Sequence, residues 1–532
     1  MKITLFFIFL FYSIYLSGQT WERTITSFSD VYPSELLETY DKGFILGAGI
    51  GIGNLIKIGW IIKMDMNGNI MWDKKIGNGS NLFYLNGIDN SNDGGLIFTG
   101  TTDTLNHDQW DPYVVKMNSC GEVEWCRIFQ TDQKTEFGTK IRSLPDNSYA
   151  MLVYDWKKDM SQGTFLYHLS QDGELIWEQE YFVQDTVIRT EYPRSLELTS
   201  ENDFLITGYC YYPDSGQVTP WWLRPMIILA DSSGEAVIEL YWGYSLHFGG
   251  EAFQTVSCDN GFYTCVSDYP YPPDTGFKPA IIKTSVTGIP VFFHDIIENT
   301  KWGKASTLDK ISDSTFFAGI WYSYSDVVGS LSVAKVDTNG NLLKEKVIKQ
   351  TEFIPRDAIV TSDQKYLITA LDYQGNDLVT RLWKLNMDME YDSIYTQPHN
   401  YDSLCDHAIP SETLFFPCDV IVSTQENELK AERAKMVVYP NPGHEEVHVK
   451  LPEIIQLQTS TTNFNIRTRL HKWYEDLTFQ IADFSGKVIL NRSVRPDEKE
   501  ILIQVSGFNT GLYCFILRYK GNIVGIEKVL IY

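Results

Sequence analysis

The stretch Asp93–Phe129 reads DGGLIFTGTTDTLNHDQWDPYVVKMNSCGEVEWCRIF. It holds three short apolar runs, Leu96 to Gly100, Tyr113 to Met117 and Glu122 to Phe129, with tight turns at Asp93-Gly94-Gly95 and Cys120-Gly121. Runs this short, rich in β-branched and aromatic residues and bounded by Asp, Asn and Gly, are strands joined by hairpins. The first turn recurs at Gly43, Gly95, Ser148, Asp203, Gly261, Thr315 and Lys365, in steps of 52, 53, 55, 58, 54 and 50 residues. A second turn places glycine at 68, 121, 173, 234, 288 and 340, in steps of 53, 52, 61, 54 and 52. Two independent markers that keep one period define a repeat. With a further strand ending near Ile88, each unit supplies four antiparallel strands, the size of one propeller blade. Units spanning residues 19–396 predict an all-β, seven-bladed β-propeller.

The segment Trp21–Ile25 repeats the fourth-strand pattern of Trp72–Ile76 and Trp177–Tyr181 with no three strands before it. Joined to the last blade, it would close the ring and remove two open sheet edges. Tyr391–Tyr395 is a second candidate for the same place.

The chain has 68 acidic and 44 basic side chains, a net charge of −24. Nucleic-acid binding needs clustered Lys and Arg, so that partner class is excluded. At the N-terminus Lys2 precedes the apolar run Ile3–Leu16, followed by Ser17, Gly18 and Gln19. That run has 14 residues, whereas a bilayer span needs about 20. Residues 1–18 therefore read as a cleaved signal peptide, and no transmembrane segment is expected. Eight cysteines suit an oxidising compartment. Cys405 and Cys418 enclose a short proline-containing segment, and a bridge between them would order it. Cys120 and Cys126, like Cys258 and Cys265, flank turns and are expected to be reduced or paired across blades.

Residues 397–435 lose the alternation and read as a linker. Alternation resumes over 436–532, a small all-β domain. Here Tyr439-Pro440-Asn441-Pro442, Val447 and Val449, Asp483-Phe484-Ser485-Gly486-Lys487-Val488, Gly511-Leu512-Tyr513 and Lys528-Val529-Leu530-Ile531 follow in order. The stretch resembles the type A C-terminal sorting domain of the type IX secretion system. The resemblance implies a β-sandwich, the type IX machinery as partner, and export across the outer membrane of a Gram-negative bacterium, to the cell surface or beyond. Ile454–Asp476 is an insertion relative to that family.

Chemistry-bearing motifs are few. His444-Glu445-Glu446-Val447-His448 spells HExxH, which binds zinc when a helix brings both histidines to one face. Val447 and Val449 alternate, however, as in a strand, which separates residues four apart by about 13 Å. The turns Asp65–Asn69 and Asp337–Asn341 place glycine fourth, where a calcium loop places it sixth. Neither metal nor cofactor is expected, and no catalytic motif is present. In a meander the short turns share one face and the longer connections the other. The latter are expected to carry Trp110, Trp156, Tyr211, Trp221, Trp222 and Trp321, rings suited to a glycan or surface-protein ligand, with Trp221-Trp222 foremost. The leading expectation is a non-enzymatic binding or adhesion module; alternatives are a propeller enzyme acting on polysaccharide or peptide, and a structural surface component.

Overall fold

A computed structural model describes residues 21–27, 30–52, 55–77, 81–105, 109–131, 135–156, 162–181, 190–213, 221–241, 249–269, 277–287, 289–297, 302–324, 329–350, 353–374, 377–423, 437–439, 444–451, 477–483, 487–495, 498, 500–519 and 522–531. The expected signal peptide and the turn at Gly288 lie outside them. Every element is a strand or an isolated bridge, and among the described residues no helix is long and apolar enough to cross a membrane. The chain divides into two units, residues 1–424 and 425–532.

The first unit is propeller-like. Among the described residues its strands form seven meander sheets, whose innermost strands are Val31–Glu38, Phe83–Asn90, Thr135–Ser143, Thr190–Leu198, Gly249–Cys258, Trp302–Ser312 and Phe353–Val360. The seventh sheet takes its outer strand from the start of the chain: Glu22–Ile25 pairs antiparallel with Asp377–Asn386, Glu22 opposite Trp383 and Ile25 opposite Thr380. Tyr391 adds one bridge to Leu385. The seventh sheet meets the first where the Leu36 amide donates to Asp357 Oδ2 at 2.6 Å.

Each repeat marker has a physical role. In the first turn the residue before the marker adopts a left-handed conformation, at Lys42, Gly94, Asn147, Asn202 and Gln364. Gly95 itself allows a close approach, since a Cβ there would lie 2.1 Å from the Met117 carbonyl. The turn aspartate receives a lysine from the third strand, as Lys63 does on Asp41 and Lys116 on Asp93, both at 2.7 Å. The second turn needs positive φ at Gly68, Gly121, Gly173, Gly234 and Gly340. Against three of these sits a fourth-strand tryptophan of the preceding sheet: Trp21 on Gly68, Trp125 on Gly173, Trp177 on Gly234. These rings lock neighbouring sheets, and apolar side chains of adjacent sheets fill the space between them. Ile45 and Ile61 of the first sheet, for example, share a core with Leu85 and Ile88 of the second.

The structure corrects two expectations. Residues 397–423 are part of the first unit and run as a strap over its first two sheets. Glu412–Leu414 adds a parallel strand to the outer strand Ile70–Ile76, and Asp419–Ser423 adds one to Val123–Thr131. Segments of three and five residues are too short to show a period. Their contacts are carried by Ile409, Leu414, Phe416 and Ile421, which pack against the sheet cores. Cys405 and Cys418 do not bridge each other; Cys405 pairs with Cys120 and Cys418 with Cys126. The register explains the second pair, because Asp419 lies opposite Arg127 and so sets Cys418 beside Cys126. Cys258 and Cys265 are buried and form no disulfide.

The second unit has two sheets. One orders Val437–Tyr439, Glu446–Lys450 and Glu500–Gln504; the other orders Val488–Ser493, Leu477–Asp483, Gly511–Tyr519 and Asn522–Ile531. They share a core that includes Val447, Val449, Phe479, Ile481, Phe515 and Val529. His448 lies on a strand, as its alternation predicts, with Nδ1 2.9 Å from Glu500 and its ring stacked on Tyr439 at 5.3 Å.

Candidate binding site at the channel mouth

All seven innermost strands carry a β-bulge at the same place, between Pro33/Glu35, Leu85/Gly87, Gly138/Lys140, Pro193/Ser195, Ala252/Gln254, Ala305/Thr307 and Pro355/Asp357. A bulge sets two residues against one and re-aims a side chain. The skipped residues are Ser34, Asn86, Thr139, Arg194, Phe253, Ser306 and Arg356. Each is more open than the buried residue just before it, and together they line a central channel of about 410 Å³.

The residue after the bulge works differently. Glu35 accepts the Ile88 amide of the next sheet at 3.0 Å, Gln254 the Leu308 amide at 3.1 Å, and Asp357 the Leu36 amide. Two positions further on, Asp89 and Asp309 accept the amides of Ser143 and Val360. These side-chain oxygens fasten one sheet to the next. Burial pushes Asp89 and Asp309 up to about 6. Asp357 rises to about 7, chiefly through burial, which with neighbouring Glu35 outweighs Lys140. Glu35 is also opposed by burial, yet Arg142 at 2.9 Å and Lys140 at 3.1 Å hold it below the ordinary range. Arg142 also pairs with Glu197.

A recess of about 660 Å³ opens beside the channel and shares Tyr84, Asn86, Thr139, Pro193 and Arg194 with it. Part of its wall comes from the residue two places before the bulge in the first four sheets, which is aromatic: Tyr32, Tyr84, Phe137 and Tyr192. In the next three sheets that position holds Glu251, Lys304 and Ile354, which line the channel instead. The mouth is therefore aromatic on one side and charged on the other. Behind the wall the rings touch in series: Trp110 on Phe137 at 5.3 Å, Phe137 on Tyr154 at 5.5 Å, Tyr154 on Tyr192 at 5.0 Å and Tyr192 on Tyr209 at 4.9 Å. Arg194 lies over the Tyr209 ring at 5.2 Å and donates to its hydroxyl at 3.1 Å.

Of the aromatics expected on the longer connections, Trp110 lines this recess. Trp156 is exposed at the end of its strand, opposite Thr135 and Gln162. Trp321 is a strand residue of the sixth sheet opposite Lys304, its ring near Phe277. Tyr211, Trp221 and Trp222 also prove to be strand residues rather than loop residues, opposite Leu223, Pro213 and Tyr212; their side chains lie outside the described set. Sequence reading missed the bulged residues. The available signal was a solvent-facing residue after Pro, Gly, Ala or Leu, repeated at the blade period.

Residues 437–532 match the family model described as the secretion system C-terminal sorting domain. The second unit is a secretion sorting domain. Within this sorting domain Tyr439 donates its hydroxyl to Glu500, Gly511 opens a strand, and buried Tyr513 donates to the Asn509 carbonyl at 2.9 Å. Lys528 lies opposite Cys514 in the last strand. Pro440, Asn441, Pro442, Gly486 and the insertion lie outside the described residues. No curated protein matches the chain. Among solved structures, the chain is similar to the β-propeller domain of the trilobed protease from Pyrococcus furiosus, at 13% identity over 70% of this chain and 100% of that one, TM-score 0.39. It is also similar to an α-L-arabinanase from Penicillium chrysogenum complexed with arabinobiose, at 9% identity over 70% and 99%, TM-score 0.42. A protein of unknown function from Bacteroides caccae is 12% identical over 49% and 81%, TM-score 0.31.

Proposed function

We propose that this protein is a type IX cargo whose seven-bladed propeller is a non-enzymatic carbohydrate-binding module, followed by a β-sandwich sorting tail. The observation that carries the binding reading is the aromatic crescent of Tyr32, Tyr84, Phe137, Tyr192 and Trp110 at the channel mouth. Flat rings in a concave recess with a few polar groups suit stacking against sugar faces. Trp156, Tyr211, Trp221, Trp222 and Trp321, the other rings of the expected ligand set, are a separate candidate surface in this reading. The sorting domain supports export, with release or surface attachment after passage through the type IX machinery.

The opposite shifts of Glu35 and Asp357 favour a second reading, hydrolysis by an acid and base pair. Each carboxyl, however, already accepts an inner-strand amide of the neighbouring sheet, which supports a fastening role. The test is titration of the exported chain with neutral and acidic oligosaccharides, alongside Trp110→Ala, Tyr154→Ala and Trp221→Ala/Trp222→Ala. Binding that weakens about tenfold or more without Trp110 or Tyr154 supports the reading. Binding that only the Trp221/Trp222 pair abolishes moves the site from the crescent to that pair. Cleavage of a bound sugar, lost in Asp357→Asn, would favour the hydrolase.

A further inference from the structure

The charged side of the mouth holds Arg194 and Arg356, the bulged residues of the fourth and seventh sheets, and Lys304, two places before the bulge of the sixth. All three line the channel. In the same channel Lys140 and Arg142 are neutralised by Glu35 and Glu197. Among the described residues, no carboxylate forms an ion pair with Arg194, Lys304 or Arg356. The acid acting most on Lys304 is Glu251, and burial with the charges of Arg356 and Arg194 still holds the ammonium below its ordinary value. Arg356 is likewise lowered by burial and by Arg194, against the tyrosines Tyr84 and Tyr373. Three cations thus crowd one cavity in a chain of net charge −24, an arrangement that like-charge repulsion disfavours unless an anion joins them.

We infer that the mouth takes an anionic saccharide, its carboxylate or sulfate held by Arg194, Arg356 and Lys304 while its ring lies on the aromatic crescent. The inference rests on the carbohydrate-binding reading above and specifies its ligand. Arg194 joins the two halves. Its guanidinium is fixed by Tyr209, whose ring stacks on Tyr192 of the recess wall, so the anion site begins where the aromatic wall ends. Guanidinium groups present paired donors that match carboxylate and sulfate oxygens, and Lys304 adds a point charge. Ser306 and Thr139 also line the cavity, but their hydroxyls donate to the Pro355 and Leu152 carbonyls, which leaves the anion to the three cations.

The experiment is calorimetric titration of the exported chain with an oligogalacturonate, a sulfated oligosaccharide and a neutral galacto-oligosaccharide, at low and high ionic strength. At low salt at least one acidic sugar should bind about tenfold or more tighter than the neutral one, and the preference should shrink as salt rises. The carboxylated and sulfated arms identify the anion. Arg194→Gln and Arg356→Gln should each lower the preference for the acidic over the neutral sugar about tenfold, with Arg356→Lys intermediate. Urea unfolding of each variant checks that its fold is intact. Equal affinity for neutral and acidic sugars, still dependent on Trp110, would overturn the anion site and leave the binding module standing. A preference that survives the double Arg194→Gln/Arg356→Gln variant would also overturn it. If no sugar of either kind binds, both readings fall.

Discussion

Asp357 joins the seventh sheet to the first, and its replacement by asparagine tests whether that seam is held by a neutral acid. The side chain is 8% exposed, and its carboxyl is raised from 3.8 to about 7. The folded state therefore holds a proton that the unfolded chain releases near pH 4. By linkage, the contribution of Asp357 is most favourable below the unfolded value and is lost as pH rises towards 7. A shift of this size corresponds to roughly 2–4 kcal/mol at about pH 8. The asparagine side chain would keep an amide oxygen to accept the Leu36 amide and would carry no charge. Asp357→Asn should therefore be more stable than the natural chain by roughly 2–4 kcal/mol at about pH 8, and within about 1 kcal/mol of it near pH 4.5. Asp357→Ala removes the acceptor and should cost about 1–3 kcal/mol near pH 4.5. Urea unfolding of the exported chain at the two pH values, followed by tryptophan fluorescence, measures all three. If the natural chain equals or exceeds Asp357→Asn at the higher pH, the carboxylate is stabilised as an anion and the reasoning fails.

Glu35 should behave oppositely, its contribution present above its ordinary value and lost as pH falls. Glu35→Gln, which strands the Lys140 charge and leaves Arg142 only Glu197, should cost about 3–5 kcal/mol near neutral pH in the same unfolding assay. Lys63, on Asp41 at 2.7 Å with both side chains almost fully buried, should give a similar loss of about 3–5 kcal/mol as Lys63→Ala. Gly173→Ala forces a side chain onto φ +79° and against the Trp125 ring at 2.6 Å; a loss of about 1–3 kcal/mol is expected by thermal unfolding. Reducing Cys120–Cys405 and Cys126–Cys418, separated by 285 and 292 residues, should cost about 2–5 kcal/mol each. Hydrogen exchange should then rise first at the outer strands Ile70–Ile76 and Val123–Thr131, where the strap adds its parallel strands.

The repeat was legible because it rests on local chemistry. Left-handed turn positions admit few residue types, so Asp-Gly-Gly and Asn-Gly recur at the blade period and mark the hairpins directly. Trp21 announced its sheet because a fourth-strand tryptophan must cover the next turn glycine. The strap was illegible for the opposite reason: its strands pair in parallel with residues 292 to 338 positions away, and nothing nearby in sequence encodes that register. Cys405 and Cys418 looked like mutual partners because proximity along the chain was the available criterion. Space decides otherwise, placing each against a different part of the second sheet.

The candidate site was hidden by the regularity that revealed the fold. Seven equivalent bulges present seven equivalent positions to one channel, and packing constrains their neighbours far more than the bulged residues themselves. Glu35, Gln254 and Asp357 must each reach an amide of the next sheet, and Pro33, Pro193 and Pro355 fit where the strand departs from its ladder. The bulged side chain faces solvent, so its identity is free to differ from sheet to sheet: Ser34, Asn86 and Ser306 are small, whereas Arg194 and Arg356 carry charge. The same freedom holds two residues earlier, where aromatic rings occupy four consecutive sheets and then stop. A ring of near-identical units thereby acquires one aromatic flank and one cationic flank without altering any element that closes it. Stability and recognition are thus assigned to alternate residues of the same strands. Substitutions at Arg194 or Arg356 should therefore change ligand preference while leaving the unfolding free energy within about 0.5 kcal/mol of the natural chain, whereas substitutions just after a bulge, at Glu35 or Asp357, should change that free energy first.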